Sequence, residues 1–339
     1  MYMGAVIGAG FASGQEIMQF ITLHGLNGLK EVVLITALFA YLGASILYLS
    51  VKLSTDNYLA LINYLLGKKV GKMLDLLSML MLFGGLSVML SGSGAIFSEH
   101  FNISAKFGIF IVVVINCFIL LGGLNGVVLV NAVLVPIKII AILIISLLIL
   151  QAENTSFVQN NAVLFTGAVT GHWLWSGVLY VSYNMILVVA VLTTLGKSIT
   201  KKVALWGGVA GGASLGIIAG IMYLAGLSLY PEIINYKVPM LYMAGKVGQG
   251  FKYIMGVLIW LAILTTTVAN AHGFAARMAD AGSKNYKIIG IGATLLAVPL
   301  AGMDFDRLVG TIYPLFGYAG LLLMLFLIMA PLLVVRRRQ

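Results

Sequence analysis

The chain has 339 residues, of which 61% are hydrophobic and only 9% charged, with a mean hydropathy of +1.08. Soluble domains carry about 25% charged residues, so a water-soluble globule is excluded and a polytopic membrane protein is the class that remains. The net charge of +10 does not mark a nucleic-acid binder, because the basic residues are scattered through loops between apolar runs, and one cysteine with four histidines excludes disulfide and metal frameworks.

A membrane helix takes about 20 apolar residues. Ten segments qualify: 3–23, 31–51, 73–97, 106–122, 127–151, 172–195, 203–228, 251–275, 286–302 and 308–335. The first is the least ordinary. Gly4-Ala5-Val6-Ile7-Gly8-Ala9-Gly10-Phe11-Ala12-Ser13-Gly14-Gln15-Glu16 is apolar enough to enter a bilayer, yet it holds four glycines, a serine, a glutamine and a glutamate. Glycine loosens a helix, and hydrocarbon offers a loosened backbone no water. Such a stretch survives at membrane depth where its freed N–H and C=O groups meet protein, solvent or a bound solute. A helix break over residues 8–14 is therefore predicted. The half-helix beginning near Ser13 would aim the positive end of its dipole at the bilayer centre. Glu16, one turn beyond, could hold a substrate amine, carry a proton or pair with a basic group. So few residues precede Gly4 that a truncated start is expected, and with no basic region ahead of it the stretch does not read as a cleaved signal.

The second-to-third connection, 52–72, carries apolar residues at helical spacing and predicts a helix lying flat at the interface. The stretch 238–250 predicts another. In the third span, Ser91-Gly92-Ser93-Gly94 could face a cavity, and in the fourth Asn116 reads as an interhelical hydrogen-bonding residue. Lys138, inside Val135-Pro136-Ile137-Lys138-Ile139-Ile140-Ala141, lies too deep in the fifth span to snorkel easily. A charged lysine at the bilayer centre costs about 2.5–3.5 kcal/mol, so a functional role, such as proton exchange, is favoured. The sixth span contains Tyr180-Val181-Ser182-Tyr183-Asn184 and predicts a second break. In the eighth, Ala262, Thr265 and Thr266 offer hard oxygen donors suited to sodium, although threonine also bonds its own helix.

Ten spans divide into five and five, as residues 1–151 and 172–339 around a charge-poor extracellular connection, 152–171. An odd number of spans per half inserts the halves in opposite orientations, giving a 5+5 inverted repeat with broken first and sixth helices. With both ends in the cytoplasm, 13 Lys and Arg fall inside against six outside, as the positive-inside rule requires. No cluster of acids, histidines or nucleophiles points to an enzyme.

The first-span motif, with Tyr180-Val181-Ser182-Tyr183-Asn184, resembles the YkvI-type bacterial membrane proteins of the amino acid–polyamine–organocation superfamily, which shares the leucine-transporter fold. The resemblance extends over essentially the whole chain. It implies a secondary transporter of the bacterial inner membrane that carries an amino acid or related amine by alternating access. Substrate would lie among Ala9, Gly10, Ser13, Gly14, Glu16, Tyr183 and Asn184. The resemblance further implies a sodium site at the carbonyls of Gly4 and Ile7 with Ala262, Thr265 and Thr266, matching an Ala-x-x-Thr/Ser-Thr/Ser pattern. In proton-coupled members a fifth-helix lysine projects its amine where that sodium would sit, and Lys138 looks like that lysine. Cues for both ions are present, and the deep lysine tips the expectation toward protons. The implied partners are a small molecule and the lipid bilayer; no other cofactor is implied, and the oligomeric state stays open.

Overall fold

The computed structural model describes residues 1–122, 125–152 and 171–336, and every described regular element is helical. The first span is three short helices: α1 (Tyr2–Val6), α2 (Ala9–Ala12) and α3 (Gln15–Phe20). A single 3₁₀ turn, Thr22–His24, leads to α4 (Asn27–Lys52), followed by α5 (Tyr58–Glu99), α6 (Ala105–Gly122) and α7 (Asn125–Ala152). The second half comprises α8 (Trp173–Thr193), α9 (Lys201–Ser228), the short α10 (Pro239–Val247), α11 (Gln249–Ala276), α12 (Lys284–Ala301) and α13 (Phe305–Arg336). Among the described residues eight of these are long and apolar enough to cross a membrane. The broken first span and α12, whose polar first turn carries Lys284, Asn285 and Lys287, bring the spans to ten.

Four of the five expected span pairs pack on each other, α1 on α8, α4 on α9, α5 on α11 and α6 on α12, whereas α7 packs on α9, α10 and α11. Contact between corresponding spans is what a pseudo-twofold axis in the membrane plane produces. Most of the expected connection 152–171 lies outside the described residues. The flat helix expected within 52–72 exists as the first part of α5: Gly67, at φ 80° and ψ 162°, breaks the ladder between residues 58–66 and the third span. The helix expected in 238–250 is α10.

Small residues set the closest packing. On α9, Gly208, Gly212 and Gly216 face Ala44, Ala40 and Thr36 of α4, and a Cβ at any of the three would collide with them. Lipid is as apolar as leucine, so helices associate through such close approach rather than by hydrophobic exclusion. Gly212→Leu should therefore force α4 and α9 apart and cost about 1–3 kcal/mol or more. A thermal melt in detergent checks this; an unchanged midpoint would remove the stripe from the account. Elsewhere, polar side chains join helices: Asn116 Nδ2 donates to Thr294 Oγ1 at 2.8 Å.

One expectation fails. The sixth span, α8, runs unbroken from Trp173 to Thr193 through Val181-Ser182-Tyr183-Asn184. No glycine or proline loosens that stretch, and its polar side chains are bonded without opening the backbone. Ser182 Oγ donates to the Gly317 carbonyl at 2.7 Å, and Asn184 Nδ2 to the Tyr180 carbonyl of its own helix at 2.9 Å. Ser91 and Ser93 also tie α5 to its neighbours: their hydroxyls donate to the carbonyl of Met303, in the turn between α12 and α13 (2.6 Å), and to that of Gly108 on α6 (2.9 Å).

Candidate functional site

The first break is built from two glycines and one turn. At Val6 the helix stops because Ile7 takes an inverse γ-turn, φ −77° and ψ 68°. The Gly8 N–H then bonds the Val6 carbonyl at 2.7 Å, not the Gly4 carbonyl that a continuous helix would use. Gly8 is extended and α2 restarts at Ala9. Beyond α2, Gly14 sits at φ 80°, a left-handed conformation that glycine adopts without strain, and α3 begins.

A cavity of about 90 Å³ opens at this break, lined by Ala5, Gly8, Ala9, Gly10 and Glu16 of the first span and by Tyr183 and Asn184 of α8. From α11 come Thr266 and Asn270, from α5 Met81 and Met89, and from α13 Tyr313. Glu16 is buried, and the Tyr183 hydroxyl donates to its Oε2. The Tyr183 ring is fixed in turn by Phe20, Tyr180 and Tyr313, with centroids 5.8, 5.6 and 5.0 Å away. Gly10 is what admits the carboxylate: a Cβ there would occupy the space of Glu16 Oε1 and Cδ. Asn270 approaches because Gly85 leaves it room.

Five of the seven expected substrate residues thus line one cavity. Ser13 and Gly14 do not. Ser13 Oγ donates to the Gly10 carbonyl at 2.7 Å and accepts from Gln15 N–H at 3.2 Å, so it caps the restart of the helix. The Ser13 carbonyl accepts from Met240 N–H at 2.9 Å, and Gly14 packs against Pro239 and Met240; this pair seats α10 over the break. Glu99 at the end of α5 holds the other edge of α10, accepting from the backbone N–H groups of Lys237 (2.7 Å) and Val238 (3.2 Å). On the opposite side a wide cleft of about 860 Å³ is lined by α1, α7 and α11. Ala5 lines both the cleft and the small cavity.

The expected ion residues do not converge on a single cavity. Lys138, 1% exposed, donates from Nζ to the Ile7 carbonyl at 3.2 Å. The deep lysine of α7 is thus bonded to the γ-turn of the break. Gly4 and Thr265 line the cleft, and Thr266 lines the small cavity. Ala262 is fully buried, and Thr265 Oγ1 donates to its carbonyl at 3.1 Å. Sequence reasoning missed Asn270, one helical turn beyond Thr266, although that i, i+4 polar spacing was visible in the eighth span.

The chain is 30% identical over 323 residues, 95% of its own length and 91% of the relative's, to the membrane protein YkvI of Bacillus subtilis (strain 168). The chain belongs to the YkvI family. Another relative, YyaD of the same organism, is 27% identical over 339 residues, covering 98% of this chain and 96% of that one. No family model matches the chain. Among solved structures, two mutant forms of the Eremococcus coleocola manganese transporter each superpose with a TM-score of 0.54 at 13% identity. Each match covers 95% of this chain and 74% of the other. At that identity the likeness is one of fold: this YkvI-family chain shares the helical architecture of that transporter.

Proposed function

We propose that the protein is a secondary active transporter that moves a small amine or amino acid across the bacterial cytoplasmic membrane by alternating access, coupled to protons through Lys138. One observation carries this reading. A buried cavity at a broken helix holds a single carboxylate, Glu16, beside Tyr183, Asn184, Thr266 and Asn270. One anionic side chain matches one ammonium group, and the neutral donors and acceptors around it suit the rest of a small polar solute. The manganese cargo of the structural relatives fits less well. Among the described residues no three His, Cys, Asp or Glu side chains converge, so a divalent cation would meet one compensating charge. The arrangement of α10 over one side of the break and a cleft on the other supports alternating access. On this reading both chain ends lie in the cytoplasm, as the Lys and Arg distribution favours, and the cleft opens inward.

Proton coupling is favoured over sodium coupling because the Ile7 carbonyl already has an ammonium partner and Thr265 is bonded to Ala262. Uptake of labelled amines and amino acids into proteoliposomes tests the proposal. Candidate substrates come first from a thermal-shift screen at two pH values, with and without sodium, since a ligand of the folded state raises its apparent stability. Accumulation above equilibrium that collapses with a protonophore, and persists when potassium replaces sodium, is expected. Flux that never exceeds equilibrium means a passive permease, and solute binding without flux means a sensor; either overturns the proposal.

A further inference from the structure

We propose that His24 and Glu31 form a second proton-binding site, at the end of α3 remote from the cleft, whose occupancy sets the position of Glu16 and on which gradient-driven uptake depends. The inference rests on the proton-coupled reading above but on different residues. Glu31, in the second turn of α4, is 0% exposed, and the His24 side chain covering it is 6% exposed. His24 Nδ1 lies 2.9 Å from Glu31 Oε2 and 2.9 Å from the Phe20 carbonyl. A bare ring nitrogen and an ionised carboxylate at that distance repel, so the junction holds at least one proton. That proton sits on Nδ1, shared between the Phe20 carbonyl and a charged Glu31, because a bare Nδ1 would also face the Phe20 carbonyl oxygen at 2.9 Å. Among the described residues neither Glu31 oxygen has a hydrogen bond of standard geometry, although the Ser176 hydroxyl also faces the carboxylate, and the buried His24 Nε2 has no partner, so the pair has unused capacity for a second proton.

The surroundings make this a proton site rather than a static ion pair. From α3 comes the Phe20 carbonyl, which also accepts from Ser176 Oγ of α8 at 2.7 Å. The phenols of Tyr180 on α8 and Tyr223 on α9 lie within electrostatic reach of Glu31; the first is buried with no hydrogen-bond partner among the described residues and the second donates to the Gly25 carbonyl at 2.7 Å. Lys30 on α4 itself is exposed and bonded to Asn27, and the acidic group on the cavity side is Glu16, with Tyr183 and Tyr313. Gly177 lets α8 approach, since a Cβ there would press on Glu31 Cγ. His24 lies in the 3₁₀ turn between α3 and α4, next in sequence to the exposed Leu26, Leu29 and Lys30, with its own Nε2 buried. The link to the cavity is α3, one short helix with Glu16 in its first turn and the Phe20 carbonyl at its end. A proton taken up by Glu31 leaves the Phe20 carbonyl as the acceptor of the imidazole Nδ1–H. That alters the tether on α3 and hence the position of Glu16.

Two measurements on the full chain test this. Isotope-labelled histidine is followed by NMR in detergent across pH, with His24 identified among the four histidines by its loss in His24→Gln. The isosteric Glu31→Gln should change the His24 ring-nitrogen signals at fixed pH, because the carboxylate facing Nδ1 at 2.9 Å is gone. In proteoliposomes, the ratio of uptake with and without an inward proton gradient should fall to about one in Glu31→Gln. A His24 signal indifferent to Glu31→Gln overturns the site, whatever transport does. A shifted signal with full gradient stimulation overturns its coupling role. A wild type that moves no solute sinks the transporter reading alone, because the NMR arm still reports the proton site.

Discussion

Lys138→Met is expected to abolish proton-driven accumulation while leaving a folded protein. The ammonium is buried in α7 and, among the described residues, forms no ion pair; its hydrogen bond is to the Ile7 carbonyl. Insertion scales set the cost of a lysine at such depth near 2.5–3.5 kcal/mol, and a hydrogen bond from a charged group returns about 1.5–3 kcal/mol. The two nearly cancel. The charge is therefore stable only while the break presents that carbonyl, and movement of the break deprives it of its partner. This ties a proton to the conformation of the first span. Methionine matches the lysine stem and carries no charge to desolvate, and replacing buried ions by apolar groups is often neutral. The variant thus strands one carbonyl, at about 1–3 kcal/mol, and relieves the buried charge. Uptake driven by a proton gradient should fall to background with a melting midpoint close to wild type. Gradient-driven accumulation within about twofold of wild type, a difference of only about 0.4 kcal/mol, would remove Lys138 from the coupling mechanism. Sodium dependence newly appearing in the variant would mean that the oxygens of Gly4, Ile7, Thr265 and Thr266 can act as a cation site once the ammonium is gone.

The spans were legible because apolar length in a bilayer admits few alternatives, and the first break because glycines cluster where hydrocarbon tolerates no loose backbone. Lys138 stood out for the same energetic reason. The second break was misread from real polar residues. Ser182 and Asn184 do sit at mid-span, but a hydroxyl or amide inside a membrane helix has two outlets, a cavity or a neighbouring carbonyl. Ser182 takes the Gly317 carbonyl, and Asn184 takes its own helix while still bordering the cavity. Composition does not separate those outlets; the absence of glycine between Gly177 and Gly196 was the signal against a break. Ser13 and Gly14 belong to the break as expected, but their faces turn to α10, and only the packing of a helix from the other half of the chain decides that. The His24–Glu31 pair was invisible for a related reason. Both residues fall at the edge of an apolar run, where charged groups are ordinary, and burial there comes from α8 and α9.

The sharpest test of the cavity is Gly10→Ala, expected to weaken substrate binding about 10- to 100-fold while the protein still folds. Alanine is the better helix former by about 1 kcal/mol, and Gly10 lies inside α2 with a right-handed backbone, so the backbone accepts the methyl. The conflict is with Glu16, whose Oε1 and Cδ occupy the space a Cβ would take. A carboxylate at the end of a flexible side chain can rotate away, but doing so breaks its bond from Tyr183 and removes it from the position where an amine would meet it. A hydrogen bond to a charged group is worth about 1.5–3 kcal/mol, which converts to roughly that loss of affinity. Gly8→Ala should be the milder substitution, because the atom closest to its new Cβ is the Val6 carbonyl oxygen at 4.0 Å. Glu16→Gln should reproduce the Gly10→Ala defect by neutralising the same group. Since both substitutions remove one interaction, the double variant should bind no worse than either alone. Isothermal titration or a thermal-shift series with the best amine reads all four variants. Losses that multiply in the double variant would mean that Gly10 and Glu16 act on the substrate separately, and that the carboxylate folded against the glycine is not the ammonium-binding form.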